Sequence, residues 1–220
     1  MNSGRNRCCL VLSLLVLLGA AACGATPGSS PAATKIHLLI MVGGINKQIY
    51  LPNMLTKQLG YFDQEGLDVT LIDEASGQSA EDLVLNGQVD AGSGSYNHTI
   101  ELQAQGKQME CVVQLDIAPG EAEMVATQEA GKIHSMADLK GKNLGVTEIG
   151  SGTQALTIAL LHRAGIAPNQ VHFISVGADD TFIAAMQQRR IDAGMTTEPT
   201  ISRLISSGVG QVLVDLRTPQ

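Results

Sequence analysis

The distribution of apolar residues along the chain alternates between two periods. Ile36–Val42 is an apolar run of the kind that forms a strand buried on both faces of a parallel sheet, and Gly43-Gly44-Ile45-Asn46 breaks it. Across residues 50–59, Ile49, Leu51, Met54, Leu55 and Leu59 recur at helical spacing, and Gly60 stops the helix. Residues 67–72 predict the next strand. A second helix opens at Ser76-Gly77-Gln78-Ser79, with Ser79 as its expected cap and Glu81 and Asp82 in the first turn, where acidic groups favour the helix dipole. Residues 89–93 predict a third strand and residues 97–105 a third helix. The order β-α-β-α-β-α implies a parallel sheet with right-handed crossovers.

The same pattern then recurs. Residues 144–147 match the first strand, 154–164 the first helix, 171–176 the second strand and 181–188 the second helix. Val89-Asp90-Ala91-Gly92 is echoed by Ile191-Asp192-Ala193-Gly194, each following a helix and each followed by small hydroxylic residues. Gly60 and Gly165 lie 105 positions apart and the two Asp-Ala-Gly triplets 102 apart, a near-constant offset that marks the repetition of a whole lobe. Residues 111–126, rich in Val, Ile and Leu around Pro119-Gly120, are expected to carry one or two strands from the first lobe to the second. Two such lobes joined by extended segments make a hinge, and their facing strand ends make a cleft.

The N-terminal residues stand apart from this pattern. Arg5 and Arg7 precede the apolar residues 8–18, then come Gly19, Ala20, Ala21, Ala22 and Cys23, the order of charged, apolar and small-residue regions in an export signal. The apolar stretch is shorter than the roughly 20 residues of a membrane span. A Cys directly after small residues is the expected lipid acceptor of a lipoprotein, carrying palmitate among its chains, although Ala20 stands where Leu is commoner; a plain secretory signal cut nearby is the alternative. Residues 24–34 are composed of Gly, Ser, Thr, Pro and Ala and read as a tether. The expected organisation is a signal at 1–22, a tether at 23–34, a first lobe at 35–118 and a second at 119–217, in an exported chain anchored to the cell membrane or periplasmic.

Composition then removes several function classes. Cys8 and Cys9 leave with the signal and Cys23 carries lipid, so Cys111 alone remains and no disulfide framework is possible. Without Arg5 and Arg7 the formal charge moves from −7 to −9, which argues against nucleic acid as a partner. Trp is absent and aromatics make up 3%, too few for a stacking platform. His37, His98, His134, His162 and His172 show no i, i+4 pair, so no metal and no cofactor are expected. No Gly-x-Ser-x-Gly elbow appears, so hydrolysis has no support and no catalytic residue is assigned.

Candidate chemistry lies in the loops after the strands, because ligands of open α/β sheets sit beyond the strands' carboxyl ends. That rule nominates Asn46, Gln78, Ser79, Ser95, Tyr96, Ser151, Gly152, Thr153, Thr197 and Glu198. In Gly150-Ser151-Gly152-Thr153 a strand feeds a helix whose first-turn N–H groups are unpaired, which makes either an anion or carbonyl binder or an ordinary capped turn. No Lys follows, so the loop is not a P-loop. Gln78, Ser79, Ser95 and Thr153 offer donors to a carboxylate or sulfonate. Glu198 either accepts from an amine or hydroxyl of the ligand or caps the helix that begins near Pro199. His98 is the histidine that could reach the cleft, against a surface or helix-capping role. Arg189-Arg190 reads as a solvated helix end.

Three stretches taken in order carry a resemblance. Residues 60–69 (Gly-Tyr-Phe-Asp-Gln-Glu-Gly-Leu-Asp-Val), residues 136–146 (Met-Ala-Asp-Leu-Lys-Gly-Lys-Asn-Leu-Gly-Val) and Arg190-Ile191-Asp192-Ala193-Gly194 followed by Glu198-Pro199 resemble the nitrate, sulfonate, taurine and thiamine-precursor type of solute-binding protein of ABC importers. The resemblance spans residues 36–218 and implies an α/β type II periplasmic-binding fold, a ligand held between two lobes, delivery to a membrane permease and a monomer. Thr197 stands before Glu198-Pro199 where such proteins often have an aromatic, a departure from the pattern that puts a stacking contact to the ligand in doubt. The chain also stops at Gln220, after residues 212–216, where the second lobe is expected to hand the chain back; a fragment or a shortened member with an uncovered first lobe would both look this way. Two other functions are open: an enzyme of the thiamine-pyrimidine type, which would be cytosolic and need a reactive His or Lys in the cleft, and an exported ligand sensor that feeds a kinase. Lys47, next to Asn46, is the one Lys near the nominated loops.

Overall fold

The computed structural model describes residues 34–219, so the expected signal peptide, most of the tether and Cys23 lie outside the described residues. Residues 35–220 form one compact unit. In chain order its elements are β1 (Ile36–Val42), α1 (Leu51–Gln58), α2 (Tyr61–Gln64), β2 (Leu67–Asp73), α3 (Gly77–Leu85), β3 (Ala91–Ser93), α4 (Asn97–Ala104) and β4 (Glu121–Ala126). Then follow β5 (Asn143–Val146), α5 (Gly152–Arg163), β6 (His172–Ser175), α6 (Asp179–Gln187), β7 (Ala193–Thr197), α7 (Thr200–Ser206) and β8 (Gly210–Asp215).

The strands form two sheets, a parallel one in the order β2-β1-β3 and a mixed one in the order β6-β5-β7-β4-β8. Three strands of the second sheet reproduce the first sheet's arrangement, with β5 in the place of β1. The repeated Asp explains how. Asp90 Oδ2 accepts from Leu39 N of β1 at 2.8 Å, and Asp192 Oδ2 accepts from Asn143 N of β5 at the same distance. Each Asp also donates its own N–H to that neighbour, at 3.0 Å to Leu39 O and 2.8 Å to Asn143 O. The carboxylate thus clips a strand entering the sheet to the strand beside it, and the Ala-Gly that follows starts the ladder at Ile40↔Ala91 and Leu144↔Ala193.

Two local expectations need correction. The cap of α3 is Ser76, whose Oγ accepts from Ser79 N at 3.2 Å; Ser79 lies inside the helix because the extended backbone, φ −151°, belongs to Ser76. Residues 111–118 carry no strand. No neighbouring strand takes up their backbone among the described residues, and Val112, Val113 and Ile117 remain 85%, 64% and 84% exposed. The sheets are mainly parallel, as expected, with β4 running antiparallel to both β7 and β8.

β4 is an interior strand of the unit's larger half, between β7 and β8. Its alternation places Ala122, Met124 and Ala126 against Phe182, Met186, Ile201 and Leu204 of α6 and α7, while Val125 on the other face joins Leu139, Leu144, Leu161 and Ile166. Glu121 and Glu123 share that second face. Glu123 is fully buried, and its Oε2 accepts from Thr157 Oγ1 of α5 at 2.8 Å.

Candidate functional site

The carboxyl ends of β1, β3, β5 and β7 meet in a crevice between the two sheets. The first half contributes Lys47, Ile49, Tyr50, Gly77 and Ser95. Facing them are Glu121 and Thr197, paired across β4 and β7, and Thr147, Ser151, Gly152 and Thr153 from the β5–α5 connection. The crevice is shut. Its cavity measures about 20 Å³, room for about one water molecule. A Cβ built on Gly152 would fall 2.5 Å from Ser95 Cβ, and one on Gly150 would fall 2.6 Å from Gln78 Oε1. The seam closes because glycine occupies the points of contact.

Hydrogen bonds cross the seam as well. Glu148 Oε2, from the β5–α5 connection, accepts from Ser76 Oγ and, at 3.0 Å, from Ser79 Oγ at the start of α3. Gln48 N donates to Glu198 O at 3.0 Å. The Lys47 ammonium is buried and donates to Gly43 O at 2.6 Å and Ala75 O at 3.0 Å. Burial lowers its pKa, against Glu121, Asp179, Asp73 and Glu148, which raise it. Burial pushes the Glu121 carboxyl up to about 8, with Lys47 pulling the other way. It pushes Glu123 to about 8 too, opposed by the Thr157 hydroxyl, and raises the Tyr50 phenol.

The nominated residues divide. Ser95, Ser151, Gly152, Thr153 and Thr197 line the crevice. Ser151 occupies the N-cap position of α5, but its hydroxyl donates back to Glu148 O at 2.7 Å and no side chain caps the first turn. Thr153 Oγ1 accepts from Thr147 N at 3.0 Å and lies 2.7 Å from Ser151 Oγ, so these hydroxyls hold one another. Thr197 Oγ1 donates to Gly120 O at 3.0 Å. Ser79 and Gln78 stand at the rim, Ser79 on Glu148 and Gln78 bonded to Asp82 at 3.3 Å. Asn46 is exposed and Lys47 turns inward in its place. Tyr96 is 65% exposed and lines a separate groove of about 600 Å³ beside residues 107–114. The Glu198 carboxylate accepts from Arg217 Nη1 at 2.9 Å and from Ser202 N at 3.0 Å, which is the helix-start reading.

His98 is neither at the surface nor a cap. It is buried in α4 with Nδ1 2.5 Å from Glu81 Oε2, and its ring edge abuts the glycines of the crevice wall, since a Cβ on Gly77 would stand 3.3 Å from Nε2. Burial lowers the pKa of His98 and raises that of Glu81. The residues that sequence reasoning passed over are Tyr50, Glu121, Thr147 and Glu148. Glu121 and Glu123 left a signal, two carboxylates alternating with apolar residues in a stretch otherwise suited to a central strand. Among the described residues no group of three His, Cys, Asp or Glu could hold a metal.

Residues 49–213 match the family model described as NMT1/THI5 like. The chain belongs to the NMT1/THI5-like family. Among solved structures, this family member is 36% identical to a protein of Bordetella bronchiseptica RB50, with a TM-score of 0.78 over 84% of this chain and 58% of that one. It is also similar to the alkanesulfonate-binding protein SsuA of Xanthomonas axonopodis pv. citri, solved with MOPS, at 23% identity and a TM-score of 0.67, covering 83% of this chain and 62% of SsuA. These likenesses place the NMT1/THI5-like chain in the α/β fold of type II periplasmic binding proteins. Among curated proteins, a 4-amino-5-hydroxymethyl-2-methylpyrimidine phosphate synthase of Legionella pneumophila is 24% identical over 74% of this chain and 50% of the synthase. The chain spans about half the length of the curated relatives it matches.

Proposed function

We propose that this protein is a non-enzymatic solute-binding component of an ABC importer: exported, held at the membrane through lipid on Cys23, and delivering a small polar organic molecule to a permease. The observation that carries the proposal is the interlobe crevice at the strands' carboxyl ends, closed by glycine contacts at Gly150 and Gly152 and by the Glu148 bridge. A crevice that shuts to the volume of one water must part before an organic molecule enters, which is the motion by which two-lobed binders capture solute. The likeness to a sulfonate-binding protein supports the same reading. A thermal-shift screen of sulfonates, nitrate, pyrimidines and amino acids tests it, because a tight ligand raises the melting temperature by mass action. Failure of all four classes at millimolar concentration would count against it.

One observation favours a second reading, a pyrimidine synthase. The crevice contains a buried Lys47, and His98 lies behind Gly77, the residue types that such chemistry requires. Expression in a strain auxotrophic for the pyrimidine separates the two readings, since a binding protein does not restore growth.

A further inference from the structure

We propose that the crevice selects a small molecule carrying a protonated nitrogen, an ammonium or amidinium, and seats that nitrogen against Glu121. The inference rests on the solute-binding reading and narrows its ligand. Glu121 is 7% exposed, lines the crevice at the head of β4, and its carboxyl makes no hydrogen bond or ion pair among the described residues. Its charged neighbour Lys47 spends its donors on backbone carbonyls, so the buried carboxyl lacks a hydrogen-bonded counter-charge, and a cation brought into the same dry space supplies one.

Most of the side-chain donors that an anion would need are already engaged, the Tyr50 and Ser95 hydroxyls being the two that line the crevice without a hydrogen bond among the described residues. Ser76 and Ser79 serve Glu148, Ser151 and Thr153 serve each other and the backbone, and the Lys47 ammonium is directed at two carbonyl oxygens. The carboxyl groups at the crevice are Glu121 within it and Glu148 at its rim, against one cation, Lys47, bound to backbone. What stays open to an acceptor group is the uncapped first turn of α5 with the Tyr50 and Ser95 hydroxyls, so the same molecule can place an acceptor there and its cation at Glu121. Because burial holds the Glu121 carboxyl near 8, pairing with a cation at neutral pH expels its proton to the buffer. The other titratable groups facing this space are Lys47, Tyr50 and Glu148, with Asp73 and Asp179 acting on Lys47 from further off.

The test uses matched pairs in which only one member carries a protonated nitrogen at pH 7.5: taurine against ethanesulfonate, alanine against propionate, and acetamidine against acetamide. Calorimetry at pH 7.5 on the full chain and on Glu121→Gln is the measurement, with melting temperatures followed in parallel. The expected result is at least tenfold tighter binding of the basic member in any pair that binds, with proton release that varies with buffer, and loss of both in the variant. Equal or tighter binding of the members without a protonated nitrogen, or a preference that survives Glu121→Gln, overturns this inference and leaves the solute-binding reading standing. Should no compound of either set bind, both fall. If the variant does not fold, the wild-type preference and its proton release decide alone.

Discussion

The two halves of the molecule share one plan and differ in how thoroughly they carry it out. Both begin with a strand clipped by an Asp, flanked by the two strands that follow it in sequence. Only the second half adds β4 and β8, and with them two layers of core. The first half's buried cluster is Met41, Ala80 and Val89, with Val42, Val69 and Leu102 buried outside it, whereas the second packs Phe182, Met186, Ile201 and Leu204 on one face of its sheet and Leu139, Leu144 and Leu161 on the other. A repeated topology therefore does not imply repeated stability. Stability follows the apolar surface that each sheet can cover.

The largest effect is expected in the second core. Phe182→Ala should cost about 3–5 kcal/mol in urea unfolding, against about 2 kcal/mol for Met41→Ala, whose smaller cluster can relax into the space left behind. Equal costs would mean that the first half is as tightly packed as the second. Next comes pH. The Glu123 carboxyl is raised by burial to about 8 in the folded protein, well above its unfolded value, so the native state binds more protons across that interval. Its contribution to stability is fully present below about pH 4.5 and is lost as pH rises to 8. Glu123→Gln should remove this loss and make the protein more stable than wild type at pH 8, by on the order of 2–4 kcal/mol, with little gain at pH 4. Urea titrations at both pH values measure it, and a pH-independent difference would mean that the carboxyl is ionised in the fold.

Smaller effects bear on the shared plan. Removing the half-buried clip with Asp192→Ala should cost about 1.5–3 kcal/mol, and Asp90→Ala, whose carboxylate is exposed, about 1 kcal/mol or less. Amide exchange at Asn143 and Leu39 reports each clip locally. Gly152→Val should act on the seam rather than on either core, because no positive φ is required there and the added side chain meets Ser95 and Asn97 across the seam. Its effect should appear instead in small-angle scattering, as a molecule that does not close.

The alternation of apolar periods made most strands and helices legible, and the Asp-Ala-Gly repeat exposed the duplication, because an Asp clip is a local device that needs the same residues wherever it occurs. Less legible was everything decided by partners distant in sequence. Residues 111–118 have strand composition but no strand beside them. Tyr96 follows a crevice residue, yet its side chain turns to a separate groove. Glu198 looked available until the chain brought Arg217 back against it. Of the crevice, the loops could be named from the strand ends, but Glu121 could not, since it heads an interior strand rather than following one.

The bridge from Ser76 and Ser79 to Glu148 also sets a tempo. Hydrogen bonds to a charged acceptor are worth about 1.5–3 kcal/mol each, so a bridge worth about 3 kcal/mol in total would keep the parted form near one molecule in a hundred. Encounter with that minority is what counts, and capture slows by the same factor below the usual protein association rates. A molecule once enclosed waits on the same latch to leave. Residence time then exceeds what the contacts inside the crevice alone would give.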